Sequence, residues 1–485
     1  MPRGDRLLEH VLRRLGFGAD SNDVRRYSSL PFSTVLDRFL NFEQEPDDVD
    51  EQIGKPDYIA VTTRGQFSPN TVINDARQRE LFRMVHSRRP LQERMALFWH
   101  NHFATAYSKI NGIYGSVIAT KMMAGRPDQV AGNQRGQYQL FRDFATGNFR
   151  ELLVEVARDP AMLVWLDGRL NTRARPQENF AREVMELFTI GIGEYTEQDV
   201  YAAARVFTGW GLRLGANRAT PDGQYFEFVF NPGQHDPDAK TFTFAVYGDG
   251  RKTIPARPAA DGMQDGLDLI AALARHPATA ERLARKLYAY FVSEVSAPDE
   301  RAIRMTANAF TYSGGNIKAA LAALFSTEAF LGSEFGRYSW PIEYVVRSIK
   351  ETGWDGLSVD AAMTPLVNMG QSLYEPPDVN GWALGPDWFS TGSMLARMNF
   401  ASQLAGNQKF NLARSFTTTD RAQAQRVLNA MLQRLTPAPY QSVELNELLG
   451  YLNTGGPWTG SETQMNAKAA GMARLIAGSG EYQFV

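Results

Sequence analysis

Hydrophobic residues recur along most of the chain at the three- and four-residue spacing of amphipathic helices. Pro90 suits the first position of a helix, and Gly191 directly follows the last periodic residue of another. The pattern predicts a mainly α protein, a large multi-helix body. The predicted helices span 71–88, 90–106, 109–124, 176–191, 196–210, 264–293, 298–325, 338–352, 392–406, 420–434 and 462–478.

One stretch departs from the helical spacing. Phenylalanines alternate with other residues over 226–230, and the alternation returns over 242–246 after a segment rich in turn residues, 231–238. This period of two predicts a small β-hairpin insertion over 222–257 that presents a long loop. The chain is therefore divided into an N-terminal helical part, 1–221, the insertion, and a C-terminal helical part, 258–485, packed as one body with the first.

Composition removes several classes of function. A formal net charge of −2 gives no positive electrostatic field that would attract nucleic acid. No apolar run is long enough to span a bilayer. The absence of cysteine excludes disulfides, thiolate nucleophiles and iron–sulfur clusters. No phosphate-binding glycine loop is present, so no nucleotide cofactor is expected. The N-terminus leads straight into an amphipathic segment, which predicts that this chain carries no leader peptide.

Two histidines stand close together in the predicted helix 90–106, at His100 and His102. On a continuous helix their side chains point about 160° apart, at ~100° per residue, so they ligate one ion only if the helix ends near Asn101. The alternative is one hydrogen-bonded core histidine and one partly exposed histidine.

A second group lies in the predicted helix 176–191. Asn179, Glu183 and Glu186 share one stripe beside an apolar stripe, and Arg182 lies next to them. A carboxylate pair at the edge of a buried face suits a general acid/base pair or a hard-metal site. The alternative is a solvated helix face, on which Arg182 pairs with glutamates four residues away.

The turn-rich loop carries His235 and Asp236, and Lys240 follows at the start of the next strand. A histidine beside a carboxylate suits a general base, a metal ligand or a substrate clamp, whereas a turn capped by Asp236 is equally ordinary. Trp210 and Trp382 lie in the sequence beside amide and carboxylate residues, a combination that is typical of sugar-binding clefts. Tryptophan is also a routine core residue.

Together these motifs resemble one bacterial family, catalogued as the domain of unknown function numbered eighteen hundred. The resemblance covers most of the chain. It rests on these segments: His10-Val11-Leu12-Arg13-Arg14-Leu15-Gly16-Phe17-Gly18, Phe98-Trp99-His100-Asn101-His102-Phe103, Asp159-Pro160-Ala161-Met162-Leu163, Glu178-Asn179-Phe180-Ala181-Arg182-Glu183, Met185-Glu186-Leu187-Phe188, Thr208-Gly209-Trp210, His235-Asp236 with Lys240, and Asp378-Val379-Asn380-Gly381-Trp382.

The resemblance implies an exported or envelope-associated protein that works beside a companion with a sulfatase-like or phosphatase-like fold. It also implies processing of a glycan or another polymer. The polar positions of the family pattern fall on His100, Asn101, His102, Asn179, Arg182, Glu183, Glu186, His235 and Asp236. A shared functional pocket is therefore expected.

These observations lead us to expect an enzyme with a pocket between helices 91–106 and 176–191, roofed by the loop. Glu183 and Glu186 would be the acid/base pair, with His100, His102, His235 and Asp236 also catalytic, in hydrolysis or elimination on a glycan-like polymer. The substrate would be bound by Asn101, Asn179, Arg182, Lys240, Trp210 and Trp382.

Two other functions stay open at this point. If a divalent metal binds, its ligands would be His100, His102, Glu183 and Glu186, and the same residues could serve a redox metalloenzyme built on iron or manganese. The third hypothesis is a non-catalytic partner of the sulfatase-like protein that binds polymer through its aromatic loops.

Overall fold

A computed structural model describes residues 3–216, 223–354, 356–406 and 416–485. Within these ranges the chain forms 24 α-helices and four short strands, which confirms the mainly α prediction with a small β insertion. None of the described helices is both long and apolar enough to cross a membrane. The buried apolar side chains form one cluster whose members run from Val11 to Tyr482.

The helices are mostly short, with seven to sixteen residues in all but a few. The first twelve are α1 (Arg3–Arg14), α2 (Ser21–Tyr27), α3 (Phe32–Leu40), α4 (Ile73–His86), α5 (Pro90–His102), α6 (Tyr107–Tyr114), α7 (Ser116–Ala124), α8 (Gln137–Asp143), α9 (Phe149–Arg158), α10 (Pro160–Trp165), α11 (Asn179–Glu186) and α12 (Glu197–Val206). The others are α13 (Met263–Ala274), α14 (Pro277–Phe291), α15 (Glu300–Tyr312), α16 (Ile317–Phe325), α17 (Glu328–Leu331), α18 (Pro341–Thr352), α19 (Met363–Asn368), α20 (Thr391–Gly406), α21 (Thr418–Arg421), α22 (Ala424–Leu435), α23 (Ser442–Asn453) and α24 (Glu462–Ala477).

Proline and glycine divide stretches that the periodicity alone predicts as single helices. The predicted helix 264–293 is two helices, because Pro277 disfavours a helical conformation in His276, which is extended and caps α14. The predicted helix 298–325 breaks at Gly314 and Gly315, whose φ angles are 70° and 91°. Residues on either side of these breaks therefore point in directions that a continuous helix would not give.

The strands form two antiparallel pairs, and neither is the predicted pair. Strand β1 (Trp210–Ala216) pairs with β2 (Gln224–Phe230), and β3 (Lys240–Phe242) pairs with β4 (Lys252–Ile254). The predicted strand 226–230 thus pairs with a segment upstream of it rather than with 242–246. The turn-rich segment 231–238 connects the two hairpins, and residue 222, the predicted start of the insertion, lies outside the described residues.

Helix α5 lies in the centre of the helical body and is buried on all sides, although it is rich in polar residues. The Glu93 carboxylate accepts hydrogen bonds from Arg83 of α4 at 2.9 Å and from Arg142 of α8 at 3.1 Å. On another side Arg94 lies 2.9 Å from the carboxylate of Glu343 of α18. Because buried charges are tolerated only when they are paired, these contacts determine how α5 is rotated among its neighbours.

The pairing around Glu93 predicts a large loss of stability on its removal. Glu93→Gln leaves the buried guanidinium groups of Arg83 and Arg142 with one carboxylate fewer, so the free energy of unfolding should fall by about 3 to 5 kcal/mol. Urea denaturation followed by circular dichroism measures the change. The matched control is Glu300→Gln, because that carboxylate pairs with Arg285 on the exposed surface. Equal stability of the two variants would contradict a structural role for the Glu93 pairing.

Candidate functional site

His100 points into the core, away from His102. Its Nε2 accepts the backbone N–H of Tyr374 at 3.0 Å, and its ring packs edge-on against Tyr138 and Trp382. Burial lowers the pKa of His100 to about 3, so the imidazole stays neutral. These contacts anchor the chain around Tyr374 and leave His100 no access to a substrate.

Asn101 and Trp382, both predicted to bind substrate, contact each other. The Asn101 Oδ1 accepts the backbone N–H of Trp382 at 2.6 Å, and the Trp382 side chain is buried. The preceding Gly381 has a φ of 84°, and a Cβ there would lie 2.3 Å from Asn101 Oδ1. Asn101 therefore holds the 378–382 loop against the end of α5, and Trp382 is a core residue.

His102 faces the opposite side of α5 and reaches the region just after α11. Its Nε2 lies 3.2 Å from the carbonyl oxygen of Phe188, and its Nδ1 lies 3.0 Å from Nζ of Lys286. Burial, followed by the cations Lys286 and Arg282, lowers the pKa of His102 well below its usual value. The neutral ring therefore donates from Nε2 to the carbonyl and accepts at Nδ1 from Lys286.

Lys286 of α14 is the group that the sequence analysis missed. Its Nζ also donates to the carbonyl oxygen of Leu187 at 3.4 Å, and in the described part of the chain it forms no salt bridge with a carboxylate. Burial, with a second contribution from Arg282, lowers the pKa of Lys286 to about 7. The only sequence signal was its position three residues after Leu283 and four before Tyr290, on the apolar side of the helix.

Glu183 and Glu186 lie on the partly exposed face of α11, and Glu186 lies near Arg282. Burial and, secondly, Glu186 raise the pKa of Glu183. The Tyr195 hydroxyl donates a short hydrogen bond to Glu186 Oε2. Burial lowers the pKa of Arg282 while the Glu186 carboxylate opposes that shift, so Arg282 lies within electrostatic reach of both Glu186 and Lys286.

The other predicted residues of α11 lie on its exposed side. Arg182 forms a bidentate salt bridge with Glu197, at 2.8 and 2.7 Å, so the interpretation as a solvated face holds for this residue. At the start of the helix Asn179 donates to Asp167 at 3.2 Å, and Lys109 contacts the same carboxylate at 3.1 Å. This polar group continues the exposed face of α11 away from Lys286.

His235, Asp236 and Lys240 form a separate buried cluster. The two ring nitrogens of His235 face the carbonyl oxygen of Thr208 at 2.9 Å and Asp265 Oδ2 at 3.3 Å. Lys240 Nζ lies 2.6 Å from the same Asp265 oxygen. These contacts attach the loop and β3 to α13, so the loop does not roof the site at α11.

Asp236 and Trp210 complete this attachment. The Asp236 carboxylate forms two hydrogen bonds with Arg205 of α12, at 2.6 and 3.1 Å. Trp210 is 2% exposed and packs edge-on against Phe207 and Phe228. These contacts connect the insertion to the helical body, and the buried Trp210 offers no open aromatic surface for a sugar ring.

The predicted metal ligands are not assembled. In the ranges that the structure describes, no group of three or more histidine, aspartate or glutamate side chains is placed to hold a metal ion. The reason is that α5 continues through His102, which directs His100 and His102 to different sides of the helix. In the described residues His100, His102, Glu183 and Glu186 therefore do not form one such group.

What the fold does bring together is a group that we call the Lys286 site, defined by His102, Lys286, Arg282 and Glu186, with Tyr195 at its edge and Glu183 included through its electrostatic contact with Glu186. Three of the predicted residues belong to it, and α14 supplies the two cations that were not predicted. A neutral imidazole, an amine, a guanidinium group and two carboxylates can together accept, donate and stabilise charge during proton transfer.

The chain belongs to the family described as protein of unknown function (DUF1800), whose model matches residues 10–484. No curated protein and no solved structure matches the chain.

The Lys286 amine should react as a nucleophile near neutral pH. Because its pKa is lowered to about 7, a large share of the amine is unprotonated at pH 7.5, and acetylation by a succinimidyl ester should reach half of its maximal rate near pH 7. Peptide mass spectrometry at a series of pH values measures the rate for each lysine. The exposed Lys55 serves as the internal comparison, and identical pH profiles for the two lysines would contradict the assigned environment.

Proposed function

We propose that this member of the family is an acid/base enzyme whose reaction centre is the Lys286 site, and that it acts by elimination, or else by hydrolysis, on a glycan-like polymer. One observation carries the proposal: a lysine amine, desolvated and held by His102 and Leu187, lies near the guanidinium group of Arg282, which is itself within electrostatic reach of the Glu186 carboxylate. Perturbed groups of this kind concentrate at functional sites.

The hydrogen bonds of Lys286 leave it ready to accept a proton. A neutral amine has two N–H groups and one lone pair. One N–H is directed to His102 Nδ1 and the other to the Leu187 carbonyl oxygen, so the lone pair stays free. His102 positions the amine, because its own Nε2–H is bound to Phe188 and its Nδ1 can only accept. Lys286 is thus suited to be the general base.

The neighbouring charges suit elimination from a uronate-containing chain. Arg282 would pair with the uronate carboxylate and stabilise the negative charge that develops when the adjacent C–H proton passes to Lys286. The C–O bond to the next sugar then breaks, its electron pair goes to the leaving oxygen, and Glu183 would protonate that oxygen. The raised pKa of Glu183 favours its protonated form, which this role requires.

Hydrolysis by the carboxylate pair alone is supported less well. That reaction needs one carboxyl group on each side of the scissile bond. Glu183 and Glu186 lie three residues apart on one helix, and Glu186 is occupied by the Tyr195 hydroxyl. The amine and the guanidinium group have no role in such a reaction, whereas elimination uses both.

Activity should appear on acidic polysaccharides and depend on Lys286. We expect an unsaturated product, seen as ultraviolet absorbance, from a uronate polymer such as polygalacturonate or alginate and none from neutral dextran. The rate should rise with pH through about 7, since the base acts only when it is unprotonated. Lys286→Met should lower kcat by roughly a hundredfold or more, the usual size of a general-base contribution.

The control variant is Lys55→Met, which removes an exposed amine and should leave the rate unchanged. New reducing ends without unsaturated product, abolished by Glu183→Gln but not by Lys286→Met, would replace elimination by hydrolysis. Binding of the polymer with no product from any member of the panel would instead favour the non-catalytic, polymer-binding function.

A further inference from the structure

A second polar cleft lies away from the Lys286 site. It has a volume of about 910 Å³ and is walled by residues of α1, α2, α18 and α22, with Tyr58 and Trp354 on one side. None of its lining residues belongs to the Lys286 site. Its volume falls in the range of pockets that hold metabolite-sized ligands.

The most unusual side chain of this cleft is Arg13 of α1. It is only 4% exposed, and in the described part of the chain its guanidinium Nε and Nη1 have no hydrogen-bond partner. The ring of Phe335 lies 4.7 Å from its guanidinium carbon. Burial, followed by Arg347, lowers the pKa of Arg13 to about 10, so the group keeps its charge at neutral pH.

A buried cation without an oxygen partner is costly, and two of the carboxylates within electrostatic reach of Arg13, Glu351 and Glu334, are engaged by other groups. Glu351 accepts a hydrogen bond from Arg347 at 2.9 Å and another from the Tyr482 hydroxyl at 2.6 Å. Glu334 forms a salt bridge with Arg6 at 3.8 Å. In the described part of the chain Arg13 itself therefore forms no salt bridge.

The other residues that line the cleft indicate which further groups a ligand could carry. Lys350 and Arg434 add positive charge, the first beside Asp23 at 2.8 Å and the second bound to the Glu351 carbonyl at 2.6 Å. Asp57 offers an acceptor for a hydroxyl group, and Trp354 offers a flat apolar face for a sugar ring.

We propose that this cleft binds a small sugar-like molecule that carries a carboxylate or a phosphate, and that the oxyanion pairs with Arg13. The planar guanidinium group can bind either oxyanion in a bidentate manner, so the two share one recognition chemistry. The site is separate from the reaction proposed at Lys286, and each can fail without the other.

Isothermal titration calorimetry on the full chain tests the proposal with glucuronate, glucose 6-phosphate and glucose as probes. At least one charged sugar should bind roughly tenfold or more tightly than glucose, because only the charged sugars form charge-assisted hydrogen bonds with Arg13. Arg13→Met should lose this preference, and Arg64→Met, which removes an exposed guanidinium group outside the cleft, should keep it. Titration in Lys286→Met shows which site is occupied, since the preference should persist there.

Arg13→Met should fold, because it removes a desolvated charge that makes no salt bridge, and its Tm should not fall below that of the wild type. Arg13→Lys provides a second variant that keeps the charge and loses the bidentate geometry, so it should bind the charged sugar more weakly than the wild type. The proposal is overturned if neither charged sugar is preferred over glucose, if Arg13→Met retains the preference, or if Lys286→Met loses it.

Discussion

The need to pair charges in a dry interior governs the rotation of helix α5, and the rest of the structure depends on that rotation. Glu93 must face the arginines of α4 and α8, and Arg94 must face Glu343 of α18. Once these pairs form, the helix has no freedom to turn, so His100 is directed toward Tyr374 and His102 toward α11 and α14. The end of α5 thereby contributes His100 to the core and His102 to the Lys286 site.

The end of a short helix supplies the other half of the Lys286 site. Helix α11 stops at Glu186, so the carbonyl oxygens of Leu187 and Phe188 are free to accept hydrogen bonds from outside it. The Leu187 carbonyl accepts a hydrogen bond from Lys286, and the Phe188 carbonyl accepts one from His102. The two side chains are thus held beside each other. Burial disfavours the charged forms of both donors: the pKa of His102 lies well below its usual value, and that of Lys286 falls to about 7, so the amine can act as a base near neutral pH.

Sequence patterns predicted the side-chain directions that a helix sets locally. They did not predict contacts with residues that are distant along the chain. The helical period correctly indicated that His100 and His102 diverge, and the stripe of Asn179, Glu183 and Glu186 on α11 is real. Lys286 stayed hidden because its partner His102 is 184 residues away. The sequence likewise gives no sign that His235 is buried against Asp265, because Asp265 lies outside any local motif.

In the described part of the chain Lys286 and Arg13 form no salt bridge, unlike several other basic residues of the interior. Arg83 and Arg347 meet carboxylates, and Arg397 meets the side-chain and backbone oxygens of Gln483 and Ser339. Lys286 has only a neutral imidazole and a carbonyl, and the Nε and Nη1 of Arg13 have no such partner. Folding alone gives no reason to keep an amine or a guanidinium group without a carboxylate partner at these positions, because a methionine would fill the space at lower cost. The proposed functions account for both residues, since Lys286 would accept a proton and Arg13 would bind an oxyanion.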